Sequence, residues 1–418
     1  MNKYHFRCLI KYSILLFIIV VLCNGYTPVS GKARPHATTA AKEVNWVGTW
    51  ATAPQKVERS NMPPDPGLSN NTLRQVVCVS MGGRRIRFKF SNQFGDGPVE
   101  INSIQIAESA GNSQIVASTS KFLQFNGHQS VVLNAGQEII SDPLSFNLKP
   151  RMLVAITISF AQTPSILTGH PGSRTTSFIL KGNQTALEAD FSSAITTDHW
   201  YFLQGIEVEA PKHSAAVAII GDSITDGRGS GTNKQNRWPD ILMLRLQDEH
   251  YANTGVLNLG IGGNCVVNGG LGPTALARFD RDILNQNGIK WLIIFEGTND
   301  IGRTRDSAAA VAIVQKLINA YDEMISKAHA KGLKVYGATI TPFKRSSYYN
   351  QFHEQGRRSV NEWIRTGGHF DGVIDFDKII RSPVDPEEIE PSAQSDHLHP
   401  NEKGYQMMGQ AIDLSIFR

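Results

Sequence analysis

Ala215-Ala216-Val217-Ala218-Ile219-Ile220-Gly221-Asp222-Ser223-Ile224-Thr225-Asp226 is the stretch that decides the fold. An apolar run without alternation, closed by glycine and a polar cluster, is the pattern of a strand buried on both faces of a parallel sheet. Runs of the same kind recur at 256–259, 291–295, 335–339 and 373–374, each bounded by turn residues. Between the third and fourth runs, Val311, Val314, Leu317, Ile318, Tyr321, Ile325 and Ala328 repeat at helical steps, with Asp306 or Ser307 able to cap the start and Gly332 the end. Alternating strands and helices predict a doubly wound α/β domain over 211–418.

Open parallel sheets bind ligands outside the carboxyl ends of their strands. The first run delivers Ser223 there. The second runs into Asn258-Leu259-Gly260-Ile261-Gly262-Gly263-Asn264 and the third into Glu296-Gly297-Thr298-Asn299-Asp300, both offering glycine amides or Asn side chains to a developing oxyanion. After the last strand comes Asp396-His397-Leu398-His399-Pro400. A serine hydroxyl attacks well only when a base removes its proton, and the base needs a third group to hold its tautomer. Ser223, His399 and Asp396 supply nucleophile, proton carrier and imidazole orienter for acyl transfer, and one loop can place the last two.

Together these segments resemble the SGNH hydrolases, also called the GDSL esterase/lipase family, over about 215–417. The likeness rests on Gly221-Asp222-Ser223, Gly263, Gly297-Thr298-Asn299-Asp300 and the run from Asp396 to Pro400. It implies a flavodoxin-like three-layer α/β/α domain, Ser223 as nucleophile, a Ser223–His399–Asp396 triad, and an oxyanion hole from the Ser223 and Gly263 amides with the Asn299 side chain. Two positions depart from the pattern. Ile224 replaces leucine, a packing change. Gly262 stands where many members have serine, so the second loop is expected to be more flexible.

Each of these residues also has a plainer reading. Ser223 could be a helix N-cap, Gly260, Gly262 and Gly263 turn glycines, and Asn299 the donor of an Asx-turn. His397 competes with His399, but the spacing and Pro400 favour His399. Asp222 and Asp300 are read as loop braces, and His353 and His369 as packing or surface residues. Asp222, Asp226 and Asp300 lack the ligand pattern of a cation site, so neither metal nor cofactor is expected. Gly227-Arg228-Gly229-Ser230-Gly231 lacks the ending of a phosphate loop, and the Arg84, Arg85, Arg87 and Lys89 stripe is read as a solvated strand face.

Residues 45–210 have a different texture. Ile86, Phe88 and Phe90 interleave with Arg85, Arg87 and Lys89, as in a half-buried strand. Further strands are expected at 73–80, 101–107, 130–133 and 153–160, with no useful helical period, so an all-β antiparallel sandwich, jelly-roll-like, is predicted. Gly82-Gly83 is expected to form a two-residue hairpin turn at positive φ. The opening Trp46-Val47-Gly48-Thr49-Trp50 is similar to that of relatives with an N-terminal β-domain. The interval 199–213 holds Trp200, Tyr201, Phe202, Leu203 and Ile206, too apolar for a free linker, so the sandwich is expected to be joined to the α/β domain and to flank its entrance.

The chain of 418 residues, 41% hydrophobic and 19% charged, is long enough for this organisation. Lys3, Arg7 and Lys11 followed by the apolar run 13–23 read as an export signal over 1–31, with a linker at 32–44. A retained anchor or lipidation at Cys23 is the alternative to plain cleavage. Removing 1–31 takes away three basic and no acidic residues, lowering the formal charge from +4 to +1 and arguing against a nucleic-acid partner. Cys78 and Cys265 remain, read as buried small apolar residues with a single disulfide as the alternative. The expectation is a secreted, periplasmic or cell-surface serine esterase without a membrane span after cleavage, acting on short acyl esters of carbohydrates, small or polymeric. A lipase or lysophospholipase is the runner-up, and a non-catalytic carbohydrate-binding protein the alternative of another class. The sequence does not specify the oligomeric state.

Overall fold

In the computed structural model, residues 44–184, 190–248, 251 and 253–418 are described. The predicted signal and most of the linker, with Cys8 and Cys23, lie outside them. Five parallel strands run in the order Thr254–Gly260, Ala215–Gly221, Ile289–Phe295, Lys334–Ala338, Gly372–Ile374. The chain starts in the middle and reverses direction across the sheet, so the switch point lies at the first strand's carboxyl end, beside Ser223.

Alternate residues of that strand explain the layering. Val217 and Ile219 point into one core, shared with Trp238 and Leu242 of helix Trp238–Asp248 and Tyr405 and Met408 of helix Glu402–Gln410. Ala216, Ala218 and Ile220 point into the other, shared with Leu317, Tyr321 and Met324 of helix Ser307–Ala330 and Val360 of helix Gln351–Thr366. Both faces are covered, which is why the strand carries no polar alternation. Asp306 caps the long helix by accepting from the Ala309 amide, and Gly332 follows its end at φ +75°. Val311, part of the expected apolar stripe, is instead exposed, while Ala310 beside it is buried.

The N-terminal region is the antiparallel sandwich. One sheet holds Trp46–Ala51, Leu203–Glu209, Gly83–Ser91 and Leu144–Leu148; the other is centred on Asn71–Cys78, Leu153–Gln162 and Val99–Gly111. The expected hairpin at Gly82-Gly83 does not form. Asn71–Cys78 and Gly83–Ser91 belong to different sheets, and neither glycine has positive φ. Close approach explains Gly83 instead: a Cβ there would lie 2.0 Å from Val208 Cγ2. The basic stripe is neutralised by the neighbouring strand, with Arg85 on Glu209 at 2.7 Å and Arg87 and Lys89 both on Glu207.

The sandwich and the α/β region share one core, in which Val47, Phe88 and Leu203 join Leu257 and Leu317. Trp200, Tyr201, Phe202, Leu203 and Ile206 are all buried. Gly48 donates its amide to Asn287 O at 3.0 Å, and Val256 donates to Ser80 Oγ at 3.0 Å. Cys78 and Cys265 are unpaired; Cys265 is buried, while Cys78 is only partly so. Among the described residues no helix is long and apolar enough to cross a membrane.

Candidate active site

The chain leaves the strand Ala215–Gly221 through Asp222, which caps the short helix Ser223–Asp226 by accepting from the Ile224 amide at 2.9 Å. Asp222 therefore takes the capping role, and the Ser223 hydroxyl is left to face His399, with Oγ 2.9 Å from Nε2. The imidazole Nδ1 lies 2.9 and 3.0 Å from the two oxygens of Asp396. Asp396 Oδ1 also accepts the His399 amide at 2.8 Å and the Leu398 amide at 3.2 Å, so the Asp-x-x-His spacing folds the loop back on its own carboxylate. His397 sits in that loop at φ +65°, its amide on Gln394 Oε1, and does not line the pocket.

Burial pushes the His399 pKa below the ordinary imidazole value; Asp396 opposes this, and the charges of Arg228 and Arg174 reinforce it. Burial alone would raise Asp396, yet the His399 amide and ring hold its pKa below the usual carboxylate value. A lowered imidazole over an ionised carboxylate is a base that is neutral at neutral pH and stabilised once it takes a proton.

Gly263 lies at φ +72°, a left-handed conformation that favours glycine, and its amide has no acceptor among the described residues. Asn299 Nδ2 spends one hydrogen on Asn264 O at 2.8 Å and keeps a second. Its Oδ1 accepts from Tyr348 OH at 2.8 Å, which fixes the amide's orientation. Ser223, Gly263, Asn299 and His399 all line one cavity of about 450 Å³. Gly262 lines it too, without positive φ. Asp300 braces the second loop by accepting the Val266 and Val267 amides at 2.8 and 3.1 Å. Burial pushes Asp222 up to about 7 and Asp300 up to about 6, and raises Glu296 well above its usual value.

Sequence reasoning missed the clamp beneath these loops. Arg278, fully buried, donates to Leu259 O at 2.6 Å, Gly221 O at 3.2 Å and Asn264 Oδ1 at 3.0 Å, and pairs with Glu296 and Asp282 at 3.3 Å. One guanidinium thus ties the ends of three strands. Its only signal is an arginine in an otherwise apolar turn of Ala275–Phe279. His353 is buried against the Tyr348 and Thr304 carbonyls, and His369 pairs with Asp322 at 2.6 Å; neither lines the cavity.

The opposite wall comes from the sandwich, through Gln55, Glu58, Asn61, Gly172, Arg174 and His199. It is bonded to the Ser223–Asp226 turn by His170, whose Nε2 lies 2.9 Å from Asp226 Oδ1 and whose Nδ1 lies 2.9 Å from Ala53 O. Gly172 packs so close that a Cβ there would lie 1.8 Å from Asp226 Oδ2. No motif announces these residues, because long-range packing of loops places them.

Three solved structures are similar to about half of the chain. A GDSL-like lipase from Bacteroides thetaiotaomicron is 18% identical, over 50% of this chain and 90% of its own, with a TM-score of 0.36. A member of the lipolytic G-D-S-L family from Veillonella parvula is 21% identical, over 47% and 96%, with a TM-score of 0.34. An acetyl xylan esterase from Geobacillus stearothermophilus is 19% identical, over 47% and 92%, with a TM-score of 0.36. No curated protein matches the chain. The model of the GDSL-like lipase/acylhydrolase family matches residues 219–407. That interval, somewhat under half of the chain, spans Ser223, Gly263, Asn299, Asp396 and His399, and over it the chain is similar to the GDSL-like lipase/acylhydrolase family.

Proposed function

We propose that the chain hydrolyses carboxylic esters through an acyl-enzyme on Ser223. Oγ attacks the carbonyl carbon while His399 Nε2 takes its proton, and Asp396 stabilises the imidazolium. The carbonyl oxygen, now carrying the negative charge, accepts from the Ser223 and Gly263 amides and Asn299 Nδ2. Collapse expels the alcohol, which leaves with the proton from His399, and water repeats the steps to release the acid. The observation that carries this reading is the unbroken relay from Ser223 Oγ to His399 to Asp396, at 2.9 Å per step.

The polar cavity beside Ser223 supports an alcohol half rich in hydroxyls, hence short acyl esters of carbohydrates, and the basic-apolar start of the chain supports action outside the cytoplasm. A lipase-type reading is favoured by one feature, an apolar groove of about 590 Å³ on the far side of Leu271, walled by Val57, Met62, Phe94, Ile166 and Pro273. Labelling of the intact enzyme by a fluorophosphonate, abolished in Ser223→Ala, tests the mechanism and separates it from a purely sugar-binding protein. p-Nitrophenyl esters of rising chain length then decide the acyl half: a maximum at acetate supports the carbohydrate reading, and one at eight carbons or more supports the groove.

A further inference from the structure

The cavity wall, from both regions, carries more positive charge than its own structure uses. Arg174 is held at φ +50°, and its loop is stitched to the α/β region: Asn233 donates its amide to Arg174 O at 2.9 Å, and Thr176 donates to Asn233 Oδ1 at 2.8 Å. Its Nε is buried without a hydrogen-bond partner, and its Nη2 comes no closer than 3.8 Å to a carboxylate oxygen, Asp226 Oδ2, while Asp226 Oδ1 is taken by His170. Arg228 stands across from it, 63% exposed, its closest carboxylate being Asp396 Oδ2 at 3.9 Å, already committed to His399. The acidic residues in the cavity wall are Glu58, occupied by the Gln55 and Asn61 amides, and Asp226. A third arginine, Arg303, lines the cavity and makes no ion pair among the described residues.

Position decides which half of the ester these charges meet. His399 must return its proton to the leaving oxygen, so the alcohol half lies on the His399 side. Arg174 and Arg228 are on that side, since both charges act on the imidazole and Arg228 stands next to the His399–Asp396 pair. A guanidinium with an unused buried N–H is built for a planar or tetrahedral oxyanion, which it holds by charge-assisted, often forked, hydrogen bonds.

We propose that Arg174 and Arg228 form a subsite for an anionic group, a carboxylate or a phosphate, carried on the alcohol half of the substrate. This rests on the esterase reading above and deepens it: the preferred substrate is an acyl ester of an acidic alcohol, such as an acylated uronic acid or sugar phosphate. A neutral sugar would leave both arginines unanswered. An anionic group would complete the bonds that Asp226 and Asp396, already occupied, do not supply.

The test uses the whole enzyme and three matched acetyl esters: an acetylated methyl glucoside, the corresponding methyl glucuronide, and the corresponding glucoside 6-phosphate. We expect kcat/KM for at least one anionic ester to exceed that for the neutral one by about ten-fold or more, chiefly through KM, and the advantage to shrink as salt rises from about 0.05 to 0.5 M. Whichever anion gains more names the group. In the Arg174→Gln/Arg228→Gln double variant the anionic-to-neutral ratio should fall to within about two-fold of unity, and the exposed Arg228→Gln alone should lower it part of the way. Equal rates on all three esters in the wild type, or a ratio unchanged in the double variant, would overturn the subsite. Failure to hydrolyse even p-nitrophenyl acetate would instead overturn the esterase reading on which it rests.

Discussion

On the α/β side of the cavity, the groups proposed to react stand at strand ends and in one short loop, each bonded to a neighbour close in sequence or fixed by the Arg278 clamp. On the sandwich side, polar side chains stand in loops between antiparallel strands and reach the cavity only because the sandwich packs against the sheet. In the proposed mechanism the first wall carries the atoms that make and break bonds, whose positions the sheet fixes. The second carries charge and hydrogen-bonding groups that meet the parts of a substrate that do not react. On the proposed mechanism chemistry and selectivity are thus divided between the regions, Arg228 of the α/β region excepted, and variants in each wall should show it differently, in kcat for the groups proposed to react and in KM for the sandwich residues and Arg228.

The strongest attempt to break this division is to separate the regions. Residues 211–418 expressed alone would expose the face that buries Leu257, Leu259 and Ile261, and would lose the bond from the Gly48 amide to Asn287 O and the bond from the Val256 amide to Ser80 Oγ. Large apolar side chains cost roughly 1.5 to 3 kcal/mol each when exposed, so the fragment should be insoluble or lack a cooperative melt. A soluble fragment with unchanged kcat/KM would show that the second wall is dispensable.

Within the intact chain, Ser223→Ala should lower kcat by at least about a thousand-fold without changing the melting curve, because one hydroxyl carries the covalent step. His399→Ala should be nearly as severe. His397→Ala, whose ring lies outside the cavity, should stay within about two-fold; the reverse order would invalidate the assignment. A subtler change on the same wall is Tyr348→Phe, which removes the donor to Asn299 Oδ1 and leaves the ring. A net hydrogen bond of about 1 kcal/mol predicts roughly a five-fold fall in kcat with KM nearly unchanged. An effect confined to KM would place Tyr348 among the substrate-contacting residues instead.

The same division governs what the sequence revealed. Ser223, Gly263, Asn299, Asp396 and His399 were legible because each lies just past an apolar run or in a short local motif, and local order survives into three dimensions. Tyr348, Arg278, His170 and Arg174 were not, since their partners are Asn299, Gly221, Asp226 and again Asp226, between 49 and 57 positions away in the chain. The Gly82-Gly83 turn failed for a related reason. Paired glycines between strand-like runs look alike whether the chain returns within one sheet or crosses to the other, and the side chain that crowds Gly83, Val208, lies far along the sequence.

The last expected effect is read in stability rather than in rate and concerns the buried carboxylate beside Ser223. Asp222 is pushed up to about 7 by burial and by the nearby carboxylates of Asp300 and Asp226, although the Ile224 amide and Thr298 favour its ionised form. In the unfolded chain the same group titrates near about 3.9. Between those values the folded protein holds a proton that the unfolded chain has released. Asp222 therefore favours the fold least where both states are ionised: its contribution is intact below about pH 4, declines as pH rises, and is gone by about 7. Asparagine keeps the cap on the Ile224 amide but cannot ionise, so the melting temperature of Asp222→Asn relative to wild type should climb from pH 4 to about 7.5 and then level. The lowered pKa of His399 meanwhile puts the acid limb of kcat/KM below 6.5, so the enzyme should gain activity over the interval in which Asp222 withdraws stability. Melting curves of both proteins at half-unit steps decide the matter: a difference that stays flat across the interval would mean that Asp222 is ionised throughout and is held in place by Thr298 and its capping bond.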